Sequence, residues 1–254
     1  MTQTETRFAR VLMTGRIFWV ATVLAASSLV TPAFAGLFSV TPVRIFMAPK
    51  DRAVAVTVTN DGDEELVMQA EVFNWSQKAG GEDVLVSSED LILSPPILKM
   101  PPHSRQVVRL ARLGPPPANS QVTYRLVIRE VPEIKQGGKD IQMQVALAFS
   151  MPVFITPAGA KRDLVCTASR TGPQAVTASC ENRGNAYAQI RDLHLAMADG
   201  RKVASRDTGG YLLPGIRRSF DIKASDSAIP RGSYRLAVTL DDGSGQSFDV
   251  TLAD

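Results

Sequence analysis

The pattern of apolar and polar positions in this chain is that of β-strands. In residues 141–151 every odd position is large and apolar, and every even position is small or polar. A period of two places alternate side chains on opposite faces of a strand. This strand would therefore present one continuous apolar ridge. Either the ridge packs in the protein's own core, as half-buried strands do, or it meets the unfinished core of another protein.

Similar short strands separated by turn residues fill the chain from residue 40 onward, and no stretch has convincing helical periodicity. Pro42 interrupts the first of them and suits an edge strand, because proline cannot donate a backbone hydrogen bond. The first set of predicted strands covers residues 40–46, 53–59, 66–75, 85–86, 91–93, 106–112, 122–131 and 141–151. This spacing favours an immunoglobulin-like β-sandwich.

A second set of strands follows a short linker. Its predicted strands cover residues 162–169, 175–181, 186–196, 201–204, 217–222, 234–240 and 246–252. The chain is long enough for two domains. We therefore predict an all-β protein of two immunoglobulin-like domains, residues 36–157 and 162–254, joined by a linker at 158–161.

The first residues have the pattern of an export signal. Arg7, Arg10 and Arg16 precede or open an apolar run over residues 17–30, which closes on the small-x-small sequence of residues 33–35. The run is short for a membrane anchor and ends on a good cleavage site. We predict a signal peptide at residues 1–35, cleaved before Gly36, and an exported protein with no stable membrane insertion after cleavage.

Removal of this segment also changes the charge. Its three arginines and Glu5 account for most of the chain's net charge of +3. The mature protein is then nearly neutral, and no later basic cluster is interleaved with aromatic residues. Nucleic acid is therefore not an expected partner.

The two cysteines predict a disulfide in the second domain. Cys166 and Cys180 are equidistant from Pro173, which belongs to a turn sequence at residues 170–173. A hairpin would set the cysteines opposite each other, and an exported protein meets an oxidising compartment. A zinc site is a poor alternative, because His103 and His194 are both isolated in the sequence.

A search for catalytic chemistry finds no candidate. Neither histidine has the context of a nucleophile or a catalytic triad. The Gly-Gly pairs at residues 80–81 and 137–138 lack the spacing of a phosphate-binding loop. We predict a protein that is not an enzyme and needs no metal or cofactor.

The order of the motifs along the chain resembles a known family. The motifs are Val40-Thr41-Pro42-Val43-Arg44-Ile45, Val58-Thr59-Asn60-Asp61-Gly62, Phe73-Asn74-Trp75, Ser94-Pro95-Pro96, the strand from Gln106, the segment from Tyr124 to Pro132, the strand from Ile141, Glu181-Asn182-Arg183-Gly184-Asn185 and Tyr211-Leu212-Leu213-Pro214-Gly215. Together with the signal peptide they are similar to the periplasmic chaperones of the chaperone-usher pilus pathway. Within it they are most similar to the branch that serves spore-coat-like or archaic pili.

This resemblance implies a partner for the apolar ridge. Chaperones of this family are two immunoglobulin-like domains in a boomerang arrangement. They cap pilus subunits, whose sandwiches lack a strand, by donor-strand complementation, and they deliver them to an outer-membrane usher. Carried over to this sequence, the lent residues are Met143, Val145, Leu147 and Phe149. The expected location is the periplasm.

The resemblance also implies an anchor for the subunit's C-terminal carboxylate. The family uses an arginine on its first strand, matched by Arg44, and a lysine on the lending strand. That second position is Pro152, which has no charge and no backbone donor. Arg125 or Arg129, on the neighbouring predicted strand, could substitute for the lysine.

A second departure from the family concerns the contact between the domains. Thr156 stands where better-known members have an arginine, which pairs with a glutamate that corresponds to Glu130. This chain therefore departs from the family at one end of that interdomain ion pair.

Two other classes of function remain open from the sequence. A pilus subunit or adhesin would have a single incomplete domain with a detachable N-terminal extension, whereas two strand sets are predicted here. An exported carbohydrate-binding sandwich would have a row of exposed aromatic residues. Of the two tryptophans, Trp19 is in the signal segment and Trp75 is predicted to be a core residue.

Overall fold

The computed structural model describes residues 38–132, 146–224 and 227–253, and all regular structure in these ranges is β-strand. The first domain contains β1 (Phe38–Thr41), β2 (Ile45–Met47), β3 (Ala53–Asn60), β4 (Leu66–Gln77), β5 (Asp83–Ser87), β6 (Leu91–Ser94), β7 (Ile97–Met100), β8 (Arg105–Arg112), β9 (Val122–Glu130) and β10 (Ala148–Ile155). The second contains β11 (Leu164–Gly172), β12 (Ala175–Asn182), β13 (Ala188–Ala196), β14 (Lys202–Leu212), β15 (Arg217–Lys223), β16 (Gly232–Leu240) and β17 (Gly245–Leu252). The predicted signal peptide lies outside the described residues.

The first domain is a sandwich of two sheets. One sheet has the order β1-β3-β8-β6, and the other has the order β2-β10-β9-β4-β5, with β7 also paired to β4. Alternate residues of both sheets point inward, because a strand exposes successive side chains on opposite faces. Val56 and Val108 from the first sheet and Leu126 and Ile128 from the second are fully buried in the shared core.

The segment around Pro42 belongs to two sheets. β1 pairs antiparallel with β3, whereas β2 pairs parallel with β10, and the Thr41–Pro42 peptide bond between them is cis. The sequence predicted one strand over residues 40–46 that Pro42 interrupts, whereas the structure has a separate strand on each side of the interruption. Proline ends the hydrogen bonding to β3, and the chain crosses from one sheet to the other.

The second domain has seven strands in the order β11-β12-β15-β14-β13-β16-β17. β14 and β15 are joined by a single residue pair, and β11 packs against β17, so the strands close around one core that contains Leu193, Phe220 and Leu236. Cys166 and Cys180 lie directly opposite each other on β11 and β12 and form the predicted disulfide.

Each domain has a fully buried asparagine at the end of a strand. The Asn60 amide donates to the carbonyls of Glu64, Met100 and Pro101, and its oxygen accepts from the Gly62 amide. Each asparagine therefore ties a turn to a neighbouring strand.

Asn182 repeats this arrangement in the second domain. It donates to the carbonyls of Ala186 and Leu212 and accepts from the amides of Asp163 and Gly184. A Cβ at Gly184 would lie 2.3 Å from the Lys161 carbonyl oxygen, so this turn requires glycine.

Candidate functional site

The most unusual feature of the first domain is an incompletely paired strand. β9 pairs with the whole of β10, whereas β2 pairs only with its last residues, Val153 to Ile155. On the β2 side, residues 148–152 have no strand partner in the part of the chain that the structure describes. We call this stretch the open edge.

The hydrogen-bond pattern shows which backbone groups the open edge presents. The Leu147 carbonyl accepts from the Glu130 amide of β9, and the Thr156 amide donates to the Met47 carbonyl of β2. Backbone groups of odd residues therefore point to β9, and those of even residues point the other way. Ala148 and Ser150 present both a donor and an acceptor at the open edge. Pro152 presents only a carbonyl.

The predicted apolar ridge has two destinations. Its C-terminal continuation, Met151, Val153 and Ile155, is buried in the first domain's own core. Leu147 and Phe149 are each 36% exposed, and the Phe149 ring touches Phe38 edge-on with a centroid distance of 5.0 Å. The ridge therefore leaves the core and becomes accessible beside the open edge.

Two of the four predicted contact residues lie outside the part of the chain that the structure describes. Met143 and Val145 lie outside the described residues, together with the rest of residues 133–145. Their predicted part in binding stays a prediction, as do the roles of Leu147 and Phe149.

Arg44 lies where the open edge ends. It directly precedes Ile45, which is paired with Val153 of β10. Its guanidinium forms an ion pair with Asp241, whose side chain is only 6% exposed. Arg44 is therefore held in place by a carboxylate of the second domain, while its own side chain remains about one-third exposed.

Asp241 is surrounded by further donors. The Tyr187 hydroxyl donates to its Oδ2 at 3.1 Å, and Arg162 Nη1 lies 3.8 Å from its Oδ1. Burial and the nearby Asp241 carboxylate raise the pKa of Tyr187 to about 12, so that its hydroxyl stays protonated and donates. No sequence motif links Asp241 or Tyr187 to Arg44, because neither is near Arg44 in the sequence.

The other two predicted cations point away from the open edge. Arg125 stacks on Trp75, 3.8 Å from the ring centroid, and lies 3.5 Å from the Asp83 carboxylate of β5. Arg129 forms an ion pair of 2.5 Å with Glu71 of β4. Both partners are on the side of β9 that is remote from β10. Of the three arginines, Arg44 alone is at the end of the open edge.

An aromatic cluster joins the two domains. Trp75 and Phe154 of the first domain and Leu213 of the second are buried together. Tyr187 stacks on Phe154 with a centroid distance of 4.0 Å, and Tyr211 meets Trp75 edge-on at 5.2 Å. Trp75 is therefore a core residue, as predicted, but of the contact between the domains. A buried tryptophan does not form the exposed aromatic row that carbohydrate binding requires.

Two glutamine side chains reinforce this contact. Gln77 Nε2 donates to the Tyr211 carbonyl at 3.1 Å, and its Oε1 accepts from the Leu213 amide at 3.0 Å. Gln121 Oε1 accepts from the Tyr187 amide at 2.8 Å. Neutral amide groups thus tie a side chain of one domain to the backbone of the other.

Thr156 takes part in this arrangement. Its hydroxyl accepts from Gln121 Nε2 at 2.7 Å, whereas Glu130 has no ion pair with another described residue. Among the described residues, the ion pair between the domains is Arg44–Asp241.

Within the described ranges there is no group of three or more histidine, cysteine, aspartate or glutamate residues that could hold a metal ion. His103 bonds to Asp63, and His194 bonds to Asp192. No helix capable of crossing a membrane occurs among the residues that the structure describes.

Comparison with known proteins gives a family match for the first domain. Residues 37–161 match the family described as pili and flagellar-assembly chaperone, PapD N-terminal domain. None of the curated proteins matches the sequence significantly.

Three solved structures share the fold over most of the chain. The CsuC–CsuE chaperone–tip adhesion subunit pre-assembly complex, from archaic chaperone-usher Csu pili of Acinetobacter baumannii, matches at 19% identity and a TM-score of 0.61, over 86% of this chain and 100% of that one. The E. coli chaperone DraB matches at 18% identity and a TM-score of 0.56, over 86% and 97%. The Salmonella enterica complex of SafA pilin with the SafB chaperone matches at 16% identity and a TM-score of 0.56, over 87% and 98%.

Proposed function

Because the chain belongs to the family of pilus-assembly chaperones, we propose that it binds pilus subunits in the periplasm by donor-strand complementation and delivers them to an outer-membrane usher. The observation that carries this proposal is the open edge of β10, flanked by half-exposed apolar side chains. A strand with free backbone groups is a template for another strand. The partner is a subunit whose own sandwich lacks one strand.

Backbone and side-chain contacts contribute differently to this binding. An incoming strand would exchange hydrogen bonds with Ala148 and Ser150, whatever its own sequence. Leu147 and Phe149 would enter the subunit's apolar groove and select for it. Complete burial of each side chain contributes about 1.5–3 kcal/mol before the costs of association. Met143 and Val145 would extend the same ridge.

Arg44 would hold the C-terminal carboxylate of the captured subunit. A strand that runs along the open edge towards β2 ends beside Arg44. A guanidinium has several donors, so it can serve Asp241 and a second carboxylate together. Anchoring the last residue fixes the register, and register matters because a slip of one residue turns the ridge away from the groove. In this proposal Arg125 and Arg129 are not the primary anchor.

Subunit capture by a Leu147→Glu variant tests the proposal. Co-expression of the mature chain with the subunit of its own pilus, followed by pull-down, should recover complex with the native chain and none with the variant, because a charge would enter an apolar groove. Ile97→Glu is the matched control, since Ile97 is 63% exposed and lies on β7. It should capture subunit normally.

Circular dichroism on the same preparations separates binding from folding. If Leu147→Glu unfolds the protein, the ridge belongs to the chaperone's own core at this position as well. If the variant folds and still captures subunit, donation by this strand is excluded. Usher delivery is tested by asking whether the usher retains the purified chaperone–subunit complex and not the free subunit.

A further inference from the structure

A pocket with walls from both domains lies beside the aromatic cluster that joins them. Its volume is about 490 Å³. It is lined from the first domain by Gln77, Gly81, Asp83 and Arg125 and from the second domain by Gly210, Tyr211 and Arg218. We call it the two-arginine pocket. Its first-domain wall is built from β9, β4 and β5. The open edge belongs to β10, which pairs with the opposite edge of β9.

The charges that line the pocket do not balance. Asp83 is its only carboxylate, and it lies 3.5 Å from Arg125 and accepts from Gln77 Nε2 at 2.9 Å. Arg218 has no ion-pair partner among the residues that the structure describes, and its nearest aromatic contact is the Phe220 ring at 5.5 Å. One guanidinium in this pocket is therefore uncompensated.

Two glycines give Arg218 its position. A Cβ at Gly81 would lie 2.7 Å from Arg218 Cδ, and one at Gly210 would lie 2.9 Å from its Nη1. Gly81 has a φ of +85°, so its backbone alone requires glycine. Gly210 is inside β14, where glycine weakens a strand and often marks the close approach of another group. Its lack of a side chain leaves room for the guanidinium.

The Arg125 side chain is also held in place by its surroundings. Its side chain is only 14% exposed, and the Trp75 ring lies against its guanidinium. Burial lowers the pKa of Arg125, which means that its charge is incompletely solvated and gains from an added anion. Arginine binds carboxylate and phosphate through paired, nearly parallel hydrogen bonds.

We propose that the two-arginine pocket binds an oxyanion, the carboxylate or phosphate group of a ligand, between Arg125 and Arg218. The uncompensated charge, the space beside it and the glycines that keep that space open carry this inference. Arg44 is not among the residues that line the pocket, and this inference does not rest on the proposed capture of subunits.

Titration of the folded mature protein with inorganic phosphate and with citrate tests the inference. Isothermal calorimetry at constant ionic strength, with chloride as the balancing anion, should give saturable binding to one site. Arg218→Gln should weaken it at least tenfold. Arg217→Gln removes the same charge from the next residue, which is 65% exposed and paired with Glu181, and should change the affinity less than twofold. Equal losses in both variants, or no saturable binding by the native protein, would overturn the proposal.

A second variant tests the pocket in case Arg218→Gln does not fold. Gly210→Ala keeps both charges but displaces the guanidinium, and it should also weaken binding of phosphate and citrate. If binding is unchanged in Gly210→Ala, the pocket geometry has no part in it and the inference fails.

Assays of subunit capture identify the source of the natural oxyanion. If the oxyanion belongs to a bound subunit, Arg218→Gln weakens capture and phosphate competes with the subunit. If it belongs to a free small molecule, Arg218→Gln leaves capture unchanged while it still abolishes phosphate binding. Both results support the pocket, and they assign it to different ligands.

Discussion

Arg44 and Asp241 are 197 positions apart in the sequence, and their side chains form an ion pair beside the open edge. Arg44 could be singled out from its local motif, because the segment around it resembles that of a family. Asp241 could not, since it lies in an ordinary Asp-Asp-Gly turn. A sequence motif can therefore identify a residue such as Arg44. It cannot identify a partner such as Asp241, which only the fold brings next to it.

The role of Arg44 can be tested with a modified subunit. Arg44→Ala should weaken capture of an intact subunit about tenfold, and capture of a subunit with an amidated C terminus much less, because only the former offers a carboxylate. Competition binding measures both affinities. Arg129→Ala is the control, since Arg129 is paired with Glu71 away from the open edge. Equal losses for both forms of the subunit would show that Arg44 does not bind the carboxylate.

The buried asparagines lead to a prediction about stability. Asn182→Ala removes the side-chain amide that donates to the carbonyls of Ala186 and Leu212. It also removes the side-chain oxygen that accepts from the backbone amides of Asp163 and Gly184. The free energy of unfolding should fall by about 1–3 kcal/mol. Urea denaturation of the mature protein measures this. Asn119→Ala, at an exposed position, should cost less than about 0.5 kcal/mol, and an equally small loss for Asn182→Ala would contradict the structural role.

At the scale of the strand, β10 combines a paired half and an open half. The alternation over residues 141–151 predicted a strand and its apolar face correctly where the structure describes it. It could not indicate where the face passes from the core to the surface, because Met151 and Phe149 have the same place in the pattern. That transition depends on where β2 begins to pair, and the sheet switch at Pro42 sets that point.

Pro152 limits what the open edge can bind. Pro152→Ala would add a backbone donor at the even position next to Ser150 and lengthen the template by one hydrogen bond. We expect the variant to self-associate several-fold more strongly than the native protein. Analytical ultracentrifugation of both proteins at matched concentrations measures the association constants. Pro116→Ala, in the loop before β9, serves as the control, and equal constants for Pro152→Ala and the native protein would contradict this view of the edge.

The two domains are joined, in the described part of the chain, by aromatic rings, glutamine amides and one ion pair. The two strand sets and their boundary region were predicted from local patterns and turn residues. The means of joining them was not, because Gln77 and Tyr187 have no distinctive sequence context, and the motif that contains Tyr211 does not show which residue its ring meets. Thr156 replaces the arginine of the family's ion-pair network, and this chain has a hydroxyl–amide contact at that position.

Tyr211→Ala should uncouple the two domains. The substitution removes ring contacts with Trp75 and with Phe154, each worth about 0.5–1.5 kcal/mol beyond their buried area. We expect calorimetry to give one unfolding transition for the native protein and two for Tyr211→Ala. Trp75 fluorescence, the sole tryptophan signal after residue 35, should change with the first of them. Tyr211→Phe keeps the ring and should unfold as the native protein does, and a single transition in both variants would contradict the coupling.

The two domains differ in whether a disulfide contributes to their stability. It closes a loop over a sequence separation of 14 in the second domain, and the first domain contains no cysteine. On the chain-entropy model such a loop contributes about 3 kcal/mol. A copy of the chain retained in a reducing cytoplasm would therefore have a first domain of normal stability, open edge included, and a weakened second domain without a firm hold on Arg44. Production of this protein for study should therefore take place in an oxidising host compartment.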